Sequence, residues 1–212
     1  MLFEDRKQAG KLLAGQLIQY KDQKPIILAL PRGGVPVAFE VAKVLHAPLD
    51  IIVSRKIGAL HDPEFGIGAI SEEGTQVLDN SSIELLKISK EELDRIIQTE
   101  NRELKRRVVL YRKGKPLSSI KDKTVILVDD GLATGVTAHA AIAAIKKHKP
   151  KQIILACPVC AHDIEKDIEK LVDKIICIIT PMNLSAIGCW YRNFEQVDDE
   201  KVMEFLKQNK GR

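Results

Sequence analysis

Five stretches of strand length, 26–30, 49–53, 125–128, 153–156 and 175–179, consist almost wholly of aliphatic residues, and each adjoins an amphipathic stretch. A strand that is apolar on both sides of its pleat has to be covered on both faces, the condition met by a parallel sheet flanked by helices. The expected fold is therefore α/β, a doubly wound, mainly parallel five-stranded sheet with helices on both faces. Ala9, Leu12, Leu13, Leu17 and Tyr20 recur at helical spacing before the first run. A second helix is expected to start at 34–36, with Pro36 in its first turn, and to bury Val41, Val44 and Leu45. Others are expected near 136–147, 161–171 and 198–207.

One segment breaks this alternation. Between 81 and 115 a long helical pattern carries Leu93, Ile96, Ile97, Leu104, Val108 and Tyr111 on one stripe, with Ser89 and Glu92 at capping-box spacing. It stops at Lys113-Gly114-Lys115-Pro116, a helix terminator. It reads as a helical insertion whose stripe packs on the body or on a second subunit, so a homodimer is expected. No repeat or linker divides residues 1–212, and one domain is expected.

Hydrophobic residues make up 45% and charged residues 29% of the 212, a balance that excludes disordered and fibrous classes. No apolar stretch approaches the ~20 residues that span a bilayer, and the acidic start Met1-Leu2-Phe3-Glu4-Asp5 does not resemble a secretory or transit peptide. A cytoplasmic protein without membrane contact is expected, its four cysteines reduced. The net charge of +4 is modest, and clusters such as Lys105-Arg106-Arg107 read as solvated helix ends, so nucleic acid is not an expected partner.

The run at 125–128 ends on two adjacent carboxylates, Asp129 and Asp130. In an open parallel sheet ligands bind beyond the carboxyl ends of the strands, so these side chains are offered to a ligand. Gly131-Leu132-Ala133-Thr134-Gly135-Val136-Thr137 follows, a small-residue turn into a helix whose free N–H groups, with the hydroxyls of Thr134 and Thr137, can cradle a phosphate. Acceptors for sugar hydroxyls thus sit beside a phosphate site, as a ribose 5-phosphate requires.

The stretch "VILVDDGLATGVT" resembles the phosphoribosyl pyrophosphate (PRPP) motif of the type I phosphoribosyltransferases. That resemblance implies that Asp129 and Asp130 orient the ribose hydroxyls, and that Ala133, Thr134, Gly135, Val136 and Thr137 bind the 5-phosphate. The stretch "LALPRGGVPVA", 28–38, is similar to the family's pyrophosphate loop, with Arg32, Gly33 and Gly34 as its ligands. In that family the loop often holds a non-proline cis peptide, by position Pro31–Arg32. Residues 54–74 resemble the mobile loop that closes over the reaction centre, which implies that Arg55 and Lys56 meet the leaving pyrophosphate and that His61 reaches it on closure. Glu64, Asp62 and Glu72 are acids of that lid. Residues 181–197 correspond to a small C-terminal hood, where Trp190 and Tyr191, near Phe194, either stack on a base or anchor the last helix.

The resemblance implies an enzyme that moves 5-phosphoribosyl from PRPP to a small heterocyclic base and releases pyrophosphate, with Mg2+ as a cofactor carried mainly by PRPP and no metal ligands from the chain. Ala133 stands where hypoxanthine-guanine enzymes carry an acid, which argues against a 6-oxopurine acceptor. The alternative is a PRPP-sensing regulator that binds nucleic acid or protein without catalysis. A Gly-Lys-Ser/Thr of a Walker loop is absent, and Gly66-Ile67-Gly68 is too short for a dinucleotide fingerprint. Cys157-Pro158-Val159-Cys160 sits between a strand and a helix as a redox pair would, but a zinc site lacks a recognisable second pair, so buried strand-end cysteines are expected.

Overall fold

A computed structural model describes residues 2–60, 62, 63 and 65–210. All five aliphatic runs are strands of one parallel sheet: β1 (Ile26–Ala29), β2 (Leu49–Ile51), β6 (Thr124–Val128), β7 (Gln152–Val159) and β8 (Lys174–Ile179). Their spatial order is β2-β1-β6-β7-β8. The connections leaving β1 and β6 therefore run in opposite directions, and a crevice opens between those two strands at their carboxyl ends.

The pleat divides the core into two layers. Ile27, Ala29, Ile126, Val128, Ile154 and Ala156 face one side, where α1 (Arg6–Leu17), α2 (Gly34–Leu45) and α7 (Asp199–Lys210) cover them. Ile26, Leu28, Val125, Leu127, Ile153 and Leu155 face the other, under α5 (Val136–Lys147) and α6 (His162–Glu169). Pairing of Ile27 with Ile126, and of Ile126 with Ile154, keeps like faces aligned across the sheet. The doubly wound architecture is thus as the aliphatic runs predict. Leu12, placed on the α1 stripe by its spacing, is instead exposed.

The segment 54–74 departs from the expectation of a loop. It folds into β3 (Ser54–Gly58) and β4 (Gly66–Ser71), which with β5 (Thr75–Leu78) form a separate antiparallel sheet. Ile57, Ile67 and Ile70 anchor this ribbon in the core, and it packs between α4 and α5. The expected single helix over 81–115 is two: α3 (Asn80–Leu85) and α4 (Lys90–Arg112). The break falls at the capping box, where the Ser89 N–H donates to Glu92 Oε2 at 2.9 Å and the Glu92 N–H to Ser89 Oγ at 3.2 Å. The α4 stripe lies against this chain's own body, with Leu104 and Tyr111 fully in the core. That stripe therefore makes no demand for a second subunit. Among the described residues no helix is long and apolar enough to cross a membrane.

Candidate active site at the sheet crevice

The loops after β1 and β6 meet in the crevice. Leu30 N–H donates to Val128 O at 2.9 Å, which docks the first loop on the end of β6. The peptide Pro31–Arg32 is cis, as the resemblance implied. Gly33 and Gly34 then lie directly against the two carboxylates. A Cβ on Gly33 would collide with Asp130 Oδ2, and one on Gly34 would stand 2.8 Å from Val128 O and 2.9 Å from Asp129 Cα. Only residues without a side chain allow the loop and the strand end to approach this closely.

A cavity of about 480 Å³ opens at this junction. Asp129, Asp130, Arg32, Gly33 and Thr137 line it, as do Arg6, Ser54, Phe194 and Gln196. Asp129 Oδ1 accepts the Asp130 N–H at 2.8 Å. Burial, reinforced by the charge of Asp130, pushes the Asp129 carboxyl well above its ordinary value. Burial also raises Asp130, while Arg6, whose Nε donates to Asp130 Oδ2 at 2.8 Å, works against the rise. Arg6 is fixed twice more: its Nη1 donates to Glu195 O at 2.7 Å, and its guanidinium lies 3.8 Å from the centre of the Phe194 ring. Two cations, Arg6 and Arg32, thus share the cavity with two carboxylates.

Arg32 is steadied from α7, its Nη1 3.8 Å from Asp199 Oδ1. Asp199 also accepts from Tyr111 Oη at 2.5 Å and from Arg106 Nη2 at 2.9 Å, so α4 reaches the Arg32 side chain through one shared acid. The loop into α5 turns at Gly135, whose φ of +67° is left-handed and whose missing Cβ would otherwise sit 2.8 Å from Ile164 Cγ2. The first turn of α5 leaves its N–H groups without helical partners, which makes them available to an anion.

Thr134 and Val136 border a smaller hollow of about 170 Å³ beside β4 and β5, while Thr137 alone of the 133–137 loop lines the main cavity. Ala133 is partly buried. Arg55 and Lys56 line a different cavity, of about 510 Å³, between the ribbon and α4, where Arg55 Nε meets Glu100 Oε2 at 2.6 Å. Tyr191 is buried; its hydroxyl donates to the Asp130 carbonyl at 2.6 Å, and its ring packs 5.3 Å from Phe3. Burial raises the Tyr191 hydroxyl far enough to keep it a donor. Trp190 packs in the same cluster, and Phe194 is the hood ring that faces the cavity. Glu72 is buried against Arg112. His61 and Glu64 lie outside the described residues. Arg6, Ser54 and Gln196 were not singled out from the sequence: Arg6 comes from a segment with no local motif, while Ser54 opens the 54–74 segment and Gln196 lies in the 181–197 hood, where the resemblance points to other residues.

The family described as "Phosphoribosyl transferase domain" matches residues 3–192. A protein from Mycobacterium tuberculosis named "Putative phosphoribosyl transferase" is 40% identical over 205 residues, which is 97% of this chain and 46% of that protein. The chain spans about half the length of the curated relatives it matches. The crystal structure of TT1426 from Thermus thermophilus superposes with a TM-score of 0.82 at 35% identity, covering 98% of this chain and 99% of that one. The AQ2163 protein from Aquifex aeolicus shares the fold at a TM-score of 0.53 and 15% identity, over 86% of this chain and 78% of that one. With the paired carboxylates, the glycine loop and the cis peptide meeting at one crevice, the chain belongs to the phosphoribosyl transferase domain family.

Proposed function

We propose that the protein transfers 5-phosphoribosyl from PRPP to a nitrogenous base and releases pyrophosphate. The observation that carries this reading is the meeting of Asp129 and Asp130 with the Arg32-Gly33-Gly34 loop around one cavity. A ring nitrogen of the acceptor attacks the anomeric carbon as its bond to the pyrophosphate oxygen breaks. Asp129 and Asp130 accept hydrogen bonds from the 2- and 3-hydroxyls, and their charge favours the oxocarbenium-like transition state. The 133–137 loop takes the 5-phosphate. Arg32 and the N–H groups of Gly33 and Gly34 hold the leaving pyrophosphate. Arg55 and Lys56, which lie against α4 here, join only if the β3–β4 ribbon closes over the crevice.

The hard carboxylate oxygens beside an anion loop fit a divalent cation that enters on the donor's pyrophosphate, as Mg2+ would. Bound there, it would offset the charge that builds on the leaving group. Phe194, Arg6 and Gln196 are left free by this assignment to face the acceptor.

A nucleic-acid-binding regulator draws little support from α4. Arg106 and Arg107 are bonded to Glu103, and Arg112 is buried with Glu72, so that face offers few cations to phosphates. The test is pyrophosphate release from PRPP and Mg2+ against a panel of purine, pyrimidine and carboxylated heterocyclic bases. Release that requires one class of base, and that vanishes in Asp129→Asn/Asp130→Asn, is expected. Donor binding with no turnover on any base would reject transfer in favour of a sensor.

A further inference from the structure

The Cys157-Pro158-Val159-Cys160 stretch offers only two thiols, and in a straight strand residues three apart point to opposite faces. Here β7 ends at Val159 and the chain turns, which brings Cys160 back toward Cys157. The neighbouring strand supplies a third thiol: Cys177 of β8 is the register partner of Cys157, with the two sulfurs 3.5 Å apart. All three sulfurs lie within 4.8 Å of one another. Tetrahedral coordination at metal–sulfur distances of about 2.3 Å places thiolates about 3.8 Å apart, inside that range.

We propose that Cys157, Cys160 and Cys177 form a three-thiolate site for a thiophilic d10 cation, Zn2+ or Cu+. Cys157 and Cys160 are fully buried and Cys177 partly so, which gives the ion one open side for entry and for an exogenous ligand. Among the described residues no fourth ligating side chain joins the group. The surroundings favour a cation. Asp163 and Glu165 occupy the first turn of α6 and bear electrostatically on Cys160 and Cys177 respectively. Binding replaces up to three S–H protons, released to solvent, with three metal–sulfur bonds, and no oxidant is involved.

The site abuts the phosphate loop without belonging to it. Leu132 pairs with Cys160 as an isolated bridge, and the Ala161 N–H donates to Leu132 O at 2.9 Å. Neither the ribose carboxylates nor the cavity uses these sulfurs.

The test uses the full chain, stripped with a chelator and kept reduced by a phosphine. Co2+ titration is followed by thiolate-to-metal charge-transfer absorption, and Zn2+ and anaerobic Cu+ then compete for the site against chromophoric chelators. One equivalent with three-thiolate intensity and proton release is expected, and the ion that holds its place in competition is the one the site takes. Cys177→Ser and Cys160→Ser should each weaken binding roughly tenfold or more, while Cys189→Ser, an exposed hood cysteine, should not. Circular dichroism confirms that the variants compared are folded. A folded, reduced wild type with no charge-transfer band, binding that survives both substitutions, or a Cys157–Cys160 disulfide forming in a protein without metal affinity would each overturn the proposal.

Discussion

Arg112–Glu72 and Arg6–Asp130 are both arginine–carboxylate pairs largely withdrawn from water, yet their surroundings differ. Glu72 Oε1 also takes the Val53 N–H at 2.7 Å, and Arg112 also donates to Ile51 O and faces Asp50 at 3.5 Å. Asp50 in turn accepts from the N–H and hydroxyl of Ser118. The charges are closed in on all sides by protein, and what they do is tie the end of α4 to β2 and the ribbon. Asp130 has one partner of this kind and borders an open cavity; Asp129 beside it accepts a backbone N–H, and among the described residues no cation is bonded to it. A buried charge left incompletely matched costs stability. At the Glu72 pair the group left without a hydrogen-bond partner is Arg112 Nε, enclosed by protein; at the crevice the incompletely matched groups are carboxylates facing an open cavity, where a ligand can supply the missing partners.

The contrast can be broken most forcefully at Arg112. Arg112→Met strands Glu72 in the core and should destabilise the fold by roughly 3–5 kcal/mol in urea unfolding, while the folded fraction keeps its affinity for PRPP. A loss of affinity larger than the loss of folded protein would make this pair part of the site. Gly33→Ala tests the other side. Its Cβ meets Asp130 Oδ2, so the overpacking should lower unfolding stability by about 2 kcal/mol, and the carboxylate displaced to relieve it should also weaken the donor roughly tenfold or more in calorimetry. An equal fall in stability with unchanged affinity would show that the glycine serves packing alone.

The smallest effect sharpens the comparison by pH. Asp129 has its folded pKa raised above the ordinary 3.8, so the folded state holds that proton more tightly than the unfolded chain. The stability this contributes is fully present below pH 3.8 and is lost as pH rises through the raised value. Asp129→Asn, which keeps an acceptor for the Asp130 N–H, should therefore match wild type in strong acid and gain about 1 kcal/mol at neutral pH. Thermal melts across pH read this directly. A variant that is less stable at neutral pH would mean that the carboxylate is matched within the protein.

The main sheet was legible because its strands are buried on both faces and so read as unbroken aliphatic runs. The β3–β5 ribbon was not. Ser54-Arg55-Lys56-Ile57-Gly58 and Thr75-Gln76-Val77-Leu78 are short, mix charge with apolar residues, and owe their pairing to α4 and α5 packed on either side. The Asp129–Thr137 loop and the Arg32–Gly34 loop were legible because each site is local in the chain. Arg6 lies near the N-terminal end of the chain, where nothing in the local sequence marks it as a neighbour of Asp130; Gln196 falls within the hood region, but only the fold shows that its side chain lines the cavity. The aromatic cluster was visible at 190–194, but which ring faces the cavity depends on Tyr191 turning inward to the Asp130 carbonyl, leaving Phe194 at the opening.

Isothermal titration with PRPP and Mg2+, beside the Asp129→Asn/Asp130→Asn variant, decides whether the crevice between β1 and β6 is a ribose-phosphate site built on incompletely matched carboxylates. Saturable one-site binding is expected in the wild type, weakened about 100-fold or more in the variant, since charge-assisted hydrogen bonds of roughly 1.5–3 kcal/mol each are lost. A folded wild type that gives no heat with PRPP, or a variant that binds it equally well, would contradict that assignment.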